Sequence, residues 1–259
     1  MLYDDDRAPS APTNQERNQP TMTTDDTMPQ AWRDLDAVLA AGLSRVLLYG
    51  PPGTGKTYAA LTMLPAGQTH AERVTCCDDM TSAQIDGMWR PHRDGWTYSE
   101  GPAVRAWRNG SRLVIDEVDK ASGDVLGTLL AFCDSDASAR WTNPDTGETI
   151  TPAPGFSVVL TTNAEPRYLP DALRDRFPVA LEIREPHPDA LATLPAHLRD
   201  TARDLAQRDA DDADRASLRA FAALAHLADA IGWQDAARIV LPRHASAIVE
   251  AAAVEAIAQ

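Results

Sequence analysis

The chain is poor in the residues that staple or anchor a protein. Its 259 residues include three cysteines, Cys76, Cys77 and Cys133. These lack the paired spacings of a zinc site and are too few for a disulfide framework, so reduced core cysteines are expected. The six histidines are scattered and show no metal-ligand spacing. No apolar run approaches the about 20 residues that a membrane span needs. The N-terminus shows no basic-then-apolar leader pattern. Together these absences lead to the expectation of a soluble, cytoplasmic protein without a membrane partner. Positive charge is scarce as well, with 24 Lys and Arg against 38 Asp and Glu and a formal net charge of −14. That balance argues against coating DNA by bulk electrostatics and leaves room only for a local basic site.

What is present is enough apolar content, 44%, for a hydrophobic core. The length suits one large domain, or a core domain with a small one. The most informative run is Gly50-Pro51-Pro52-Gly53-Thr54-Gly55-Lys56-Thr57. It fits the phosphate-binding pattern G-x-x-x-x-G-K-[ST]. Val46–Tyr49 before it reads as a buried strand, and Tyr58–Leu64 after it as a helix stopped by Pro65. The glycines let the backbone N–H groups turn toward a polyphosphate, and the helix N-terminus adds partial positive charge. Lys56 is expected to reach the β- and γ-phosphates of ATP, and the Thr57 hydroxyl to meet Mg²⁺. Tyr58, next in the chain, is counted with the nucleotide-binding residues.

Residues 1 to about 27 are polar, acidic in places and proline-containing, and read as a disordered tail. Trp32, Leu35, Val38 and Leu39 have helical spacing. Strands are expected at Val46–Tyr49, Arg73–Cys77, Arg112–Asp116, Phe156–Thr162 and Val179–Ile183, with helices between most of them. This alternation implies an α/β fold: a five-stranded parallel sheet flanked by helices. In such sheets ligands bind beyond the carboxyl ends of the strands. From about Glu185 the chain turns alanine-rich. Helices are expected over Pro195–Gln207, Ser217–Ile231 and Pro242–Ala258. The resulting division is a tail over 1–27, a core over 28–184 and a small all-α lid over 185–259.

Leu113-Val114-Ile115-Asp116-Glu117 is an apolar strand ending in two acids. Asp116 can hold Mg²⁺ directly or through water. Glu117 can orient and deprotonate the water that attacks the γ-phosphate, which favours hydrolysis over transfer to another substrate. Phe156–Asn163 is a second buried strand, ending in an amide. Asn163 can bond the attacking water or the γ-phosphate. Arg174 and Arg176 follow, among apolar neighbours, and either can serve as an arginine finger reaching a neighbouring subunit's nucleotide; Arg176 is favoured. Arg243 sits in the first turn of the last expected helix, where the dipole disfavours a cation. An anion nearby would account for it, so Arg243 is expected at the bound phosphates.

This set of residues resembles the AAA+ ATPases, with Walker A at Gly50–Thr57, Walker B at Leu113–Glu117, sensor 1 at Asn163, the finger at Arg176 and sensor 2 at Arg243. The resemblance covers residues from about 30 to 259. Finer features resemble the MoxR and CbbQ/NorQ branch and the related dynein-like group: Ile85-Asp86-Gly87 before a glycine-bearing insert, Ser99-Glu100-Gly101-Pro102, and Asp116–Ala121. The stretch Ala139–Pro154 resembles the hairpin before sensor 1. Its turn, Asn143-Pro144-Asp145-Thr146-Gly147, has the composition of a hairpin connection in its own right.

The resemblance implies a homo-oligomeric ring, usually a hexamer, with ATP at subunit boundaries and a protein client. That client can be a metalloenzyme or a complex with a von Willebrand factor A domain. Trp89, Trp96 and Tyr98 are the candidates for a channel-facing or client-facing surface. Arg90, His92, Arg93, Arg105, Arg108 and Arg112 make the same stretch locally basic. Two other readings stay open: a motor subunit of a nucleic-acid-processing system, and a nucleotide-gated scaffold.

Overall fold

The computed structural model describes residues 28–209 and 211–258. The expected tail over residues 1–27 lies outside the described residues. Helix α1, Gln30–Ala40, turns Trp32 and Leu35 inward, one helical turn apart on one face. The chain then runs through β1 (Arg45–Tyr49), α2 (Lys56–Thr62), β2 (Ala71–Thr75), β3 (Gly87–His92), β4 (Gly95–Glu100), α3 (Pro102–Asn109) and β5 (Arg112–Asp116). Next come α4 (Gly123–Phe132), β6 (Trp141–Thr142), β7 (Thr149–Ile150), β8 (Ser157–Thr161), α5 (Asp171–Arg176) and β9 (Val179–Glu182).

Five strands form one sheet in the order β2-β5-β8-β1-β9, and every neighbouring pair is parallel. Strands buried on both faces read as continuous apolar runs, which is why Val46–Leu48 and Leu113–Ile115 show no polar alternation. Their side chains still divide by the period of two. Leu47, Leu113, Ile115, Val158 and Leu160 join Trp107 and Phe132 on one side. Val46, Leu48, Val114 and Val159 join Trp32, Leu35 and Ala59 on the other.

Two antiparallel pairs stand apart from this sheet, β3 with β4 and β6 with β7. The second is the hairpin expected around Asn143–Gly147. The first occupies the glycine-bearing insert, where sequence suggested no strands. Trp89 and Trp96 remain exposed on it, with Trp89 edge-on to Tyr98.

The C-terminal helices are α6 (Pro188–Ala192), α7 (Arg199–Ala206), α8 (Leu218–Ile231), α9 (Trp233–Val240) and α10 (Ala245–Ala258). They share their own apolar cluster, drawn from Leu191 to Ile248. Two of the expected helices begin as single 3₁₀ turns, at Ala196–Leu198 and Pro242–His244. Proline at the start of each supplies a fixed φ without an N–H to lose. Helix α9 was not expected, because Gly232 looked like a stop. It is at once the cap of α8 and the N-cap of α9. Among the described residues, no helix is long and apolar enough to cross a membrane.

Candidate active site

The carboxyl ends of β1, β5 and β8 meet the start of α8 around one cavity. It is lined by the loop before α2 with Lys56, Thr57 and Tyr58, by Asp116 and Glu117 at the end of β5, by Thr161 to Asn163 at the end of β8, and by Leu218 and Arg219. The loop can pass this close to α8 because Gly53 has no side chain. Its φ is +80°, and a Cβ there would stand 2.6 Å from Ser217 Cβ. Thr54 is buried and ties the loop back on itself, donating from Oγ1 to the Pro51 carbonyl at 3.1 Å.

Lys56 is 6% exposed. Its Nζ donates to the Gly50 and Pro51 carbonyls at 2.8 and 2.7 Å, and to Asn163 Oδ1 at 3.0 Å. Burial lowers its pKa to about 8, aided by the charge of Arg215. Asp116 is the most heavily bonded acid of the site. Thr57 Oγ1 donates to its Oδ1 at 2.9 Å, Thr161 Oγ1 donates to the same oxygen, and Arg73 Nη2 donates to Oδ2. Burial pushes its pKa up, but these donors, Thr161 foremost, outweigh burial and hold the carboxyl below its ordinary range.

Glu117 is the one non-glycine residue with positive φ among those described, at 56°. Such strain clusters at functional positions. Here it turns the side chain away from the strand and leaves it exposed at the cavity. Asp119 has a local task, accepting from Thr162 Oγ1 at 2.7 Å.

An all-oxygen set of one buried carboxylate and one hydroxyl suits Mg²⁺, which keeps its waters and is otherwise held by substrate phosphates. No cluster of three or more His, Cys, Asp or Glu suited to a metal occurs among the described residues. Thr57 and Asp116 are the residues of this cavity that could hold Mg²⁺.

The three arginines singled out from sequence stand elsewhere. Arg243 is 63% exposed, paired with Asp214 at 3.5 Å and bonded to the Ala213 carbonyl. It does not line the cavity, because the 3₁₀ turn at Pro242–His244 sets it against the loop before α8. Arg219, in the first turn of α8, lines the cavity instead. The dipole argument applied to Arg243 holds equally for Arg219, which was not singled out from sequence. Arg215 also reaches the loop, bonding the Pro52 carbonyl. Arg174 is paired with Asp171 on its own helix. Arg176 donates to the Ala172 carbonyl at 2.7 Å and lies 3.9 Å from Asp134.

A second, more apolar cavity adjoins the first and shares Gly55 and Tyr58 with it. Met28, Trp32, Ala59 and Met63 supply its apolar wall, with Asp36 and Asp189 at the edge. Trp32 is locked there by its indole N–H, which donates to the Glu185 carbonyl at 2.9 Å, and by edge-on contact with His187. From sequence, Trp32 was marked only by its helical spacing.

The profile described as AAA domain (dynein-related subfamily) matches residues 45–177, from the first residue of β1 to just beyond α5.

The chain belongs to this AAA family.

That places it, at the level of the family, among nucleotide-binding ATPases. Its similarity extends to an uncharacterized protein of Staphylococcus haemolyticus, 35% identical over 142 residues, covering 52% of this chain and 53% of the relative. An uncharacterized protein of Staphylococcus epidermidis is 32% identical over 157 residues, covering 58% and 59%. The AAA chain thus spans little more than half the length of the curated relatives it matches. A solved structure of a candidate ATPase from Cytophaga hutchinsonii superposes with a TM-score of 0.45 at 20% identity, over 69% of this chain and 52% of that one.

Proposed function

We propose that this chain is an Mg-ATP hydrolase of the MoxR and CbbQ/NorQ kind, working as a ring that remodels or activates a protein partner. The observation that carries the proposal is the convergence of Lys56, Thr57, Asp116, Glu117 and Asn163 on one cavity. In this reading residues 28–184 are the ATPase core and 185–259 the lid. The loop N–H groups and Lys56 grip the β- and γ-phosphates. The adjoining apolar cavity takes the base, stacked near Tyr58 and Trp32. Mg²⁺ at Thr57 and Asp116 would neutralise charge on the transferring phosphoryl group.

Glu117 then orients a water and takes its proton as the water attacks the γ-phosphate. Asn163, already 3.0 Å from Lys56 Nζ, fixes the far side of that phosphate. Arg219 reports the nucleotide to the lid through α8. Arg176 completes the site of the next subunit, since it stands away from its own chain's phosphate loop. The protein partner, with a von Willebrand factor A domain as one candidate, would meet the β3–β4 ribbon, where Trp89, Trp96, Arg90 and Arg93 are exposed.

Glu117→Gln tests the reading. The variant should bind ATP normally, hydrolyse it about a hundredfold more slowly, and persist as a closed ring by light scattering. A near-normal rate would remove Glu117 from the mechanism. Stimulation of the wild type by single-stranded nucleic acid, steeply salt-dependent, would shift the reading to a nucleic-acid motor.

A further inference from the structure

Arg73 belongs to none of the motifs read from sequence, yet it touches the centre of the site. It lies on β2, where Arg73 pairs with Val114 and Thr75 with Asp116 in parallel register. Residues two apart share a face of the sheet, so the Arg73 side chain can run forward along β2 to the end of β5. There its Nη2 bonds Asp116 Oδ2, and Arg73 makes no other ion pair among the described residues. The guanidinium side chain is 45% exposed and the carboxylate side chain 6%.

The two oxygens of Asp116 are therefore divided. Oδ1 takes the hydroxyls of Thr57 and Thr161, and Oδ2 takes Arg73. A carboxylate turns readily about its terminal torsion, whose preference is broad and two-fold. The carboxylate is a rigid plane whose two oxygens turn together, so the hydroxyls on Oδ1 and the cation on Oδ2 hold that one torsion from opposite ends. The same cation also stands beside the place where Thr57 and Asp116 would hold a divalent ion, and like charges oppose each other there.

We infer that Arg73 is a positioning residue for Asp116: it anchors Oδ2 so that Oδ1 stays turned to Thr57, and its charge loosens the site's hold on the divalent cation. The inference rests on the Mg-nucleotide reading above. It assigns Arg73 two separable effects, one on geometry and one on metal affinity. A merely structural ion pair would have neither.

The test uses the full chain with Arg73→Gln and Arg73→Lys. Free Mn²⁺ is followed by electron paramagnetic resonance in the presence of ATPγS, and ATPase rates are measured alongside. Arg73→Gln should bind Mn²⁺ about fivefold more tightly, the charge being gone. Its kcat at saturating Mg²⁺ should fall about tenfold as the carboxylate loses its fixed geometry, while KM for ATP stays within about twofold. Arg73→Lys keeps the charge, so its Mn²⁺ affinity should match the wild type and most of kcat should return. Unchanged Mn²⁺ affinity in Arg73→Gln would overturn the inference, as would equal losses in kcat for both variants. Failure of the underlying reading is distinguishable: Asp116→Asn would then hold Mn²⁺ as well as the wild type does.

Discussion

At the phosphate loop, Lys56 bonds Asn163 and Thr57 bonds Asp116, across the ends of β1, β5 and β8. On α5, Arg174 bonds Asp171 of its own helix, while Arg176 bonds the Ala172 carbonyl and lies near Asp134. The first region is closed on itself: its polar groups are held by partners that come from separate strands. In the second, the exposed Arg174–Asp171 pair is of the kind that contributes only about 0–1 kcal/mol. Arg176 is held by one backbone carbonyl and a long 3.9 Å approach to Asp134, with its Nε left without a hydrogen-bond partner among the described residues. A region that must bind and orient needs the first kind of geometry. A residue that must leave for a neighbour's nucleotide needs the second. The proposed division of the active site between subunits rests on this difference.

The sharpest way to break the comparison is to remove each α5 arginine separately. Arg176→Ala should lower kcat about a thousandfold, within the range for an arginine finger, with ATP affinity unchanged by calorimetry. Arg174→Ala should stay within about threefold, as loss of an exposed pair would. Equal effects would erase the distinction between them. A smaller effect is expected across the cavity. Arg219→Ala should weaken ATP binding about tenfold, the scale of one charge-assisted hydrogen bond, whereas Arg243→Ala should change it by less than about twofold. The reverse order would return the lid contact to Arg243.

The smallest test is one of pH. Lys56 has a pKa lowered to about 8 by burial, and a phosphate prefers the charged form. ATP affinity should therefore fall as pH rises through that value, by about tenfold between pH 7 and pH 9, and Lys56→Arg should abolish the dependence. Fold stability moves the other way. Between about pH 8 and the ordinary lysine range the unfolded chain holds a proton that the folded chain lacks, so stability rises with pH there.

The parallel sheet, the phosphate loop and the acids after β5 were legible because each is written in a short run with a local cause. Val46–Leu48 must be buried on both faces, and Gly50–Thr57 must turn tightly before a helix. What escaped was written across distance. Arg73 meets Asp116 from another strand, 43 residues away. Trp32 meets the Glu185 carbonyl 153 residues on. Arg219 carried a local signal, a cation in the first turn of α8, but nothing near it in sequence tied that turn to Gly53. The β3–β4 ribbon was missed for a different reason. Its outer half is exposed on both faces, so it lacks the buried alternation by which strands are recognised.

The central claim is that the active site is completed by a neighbouring subunit, and mixing tests it most directly. Lys56→Ala subunits cannot grip the phosphates but retain Arg176; Arg176→Ala subunits bind ATP but lack the finger. Each alone should be inactive, and an equimolar mixture should recover a measurable fraction of wild-type ATPase activity, because some interfaces then pair an intact loop with an intact arginine. A mixture no more active than its parts, with mixed oligomers demonstrated in the same sample, would contradict the account.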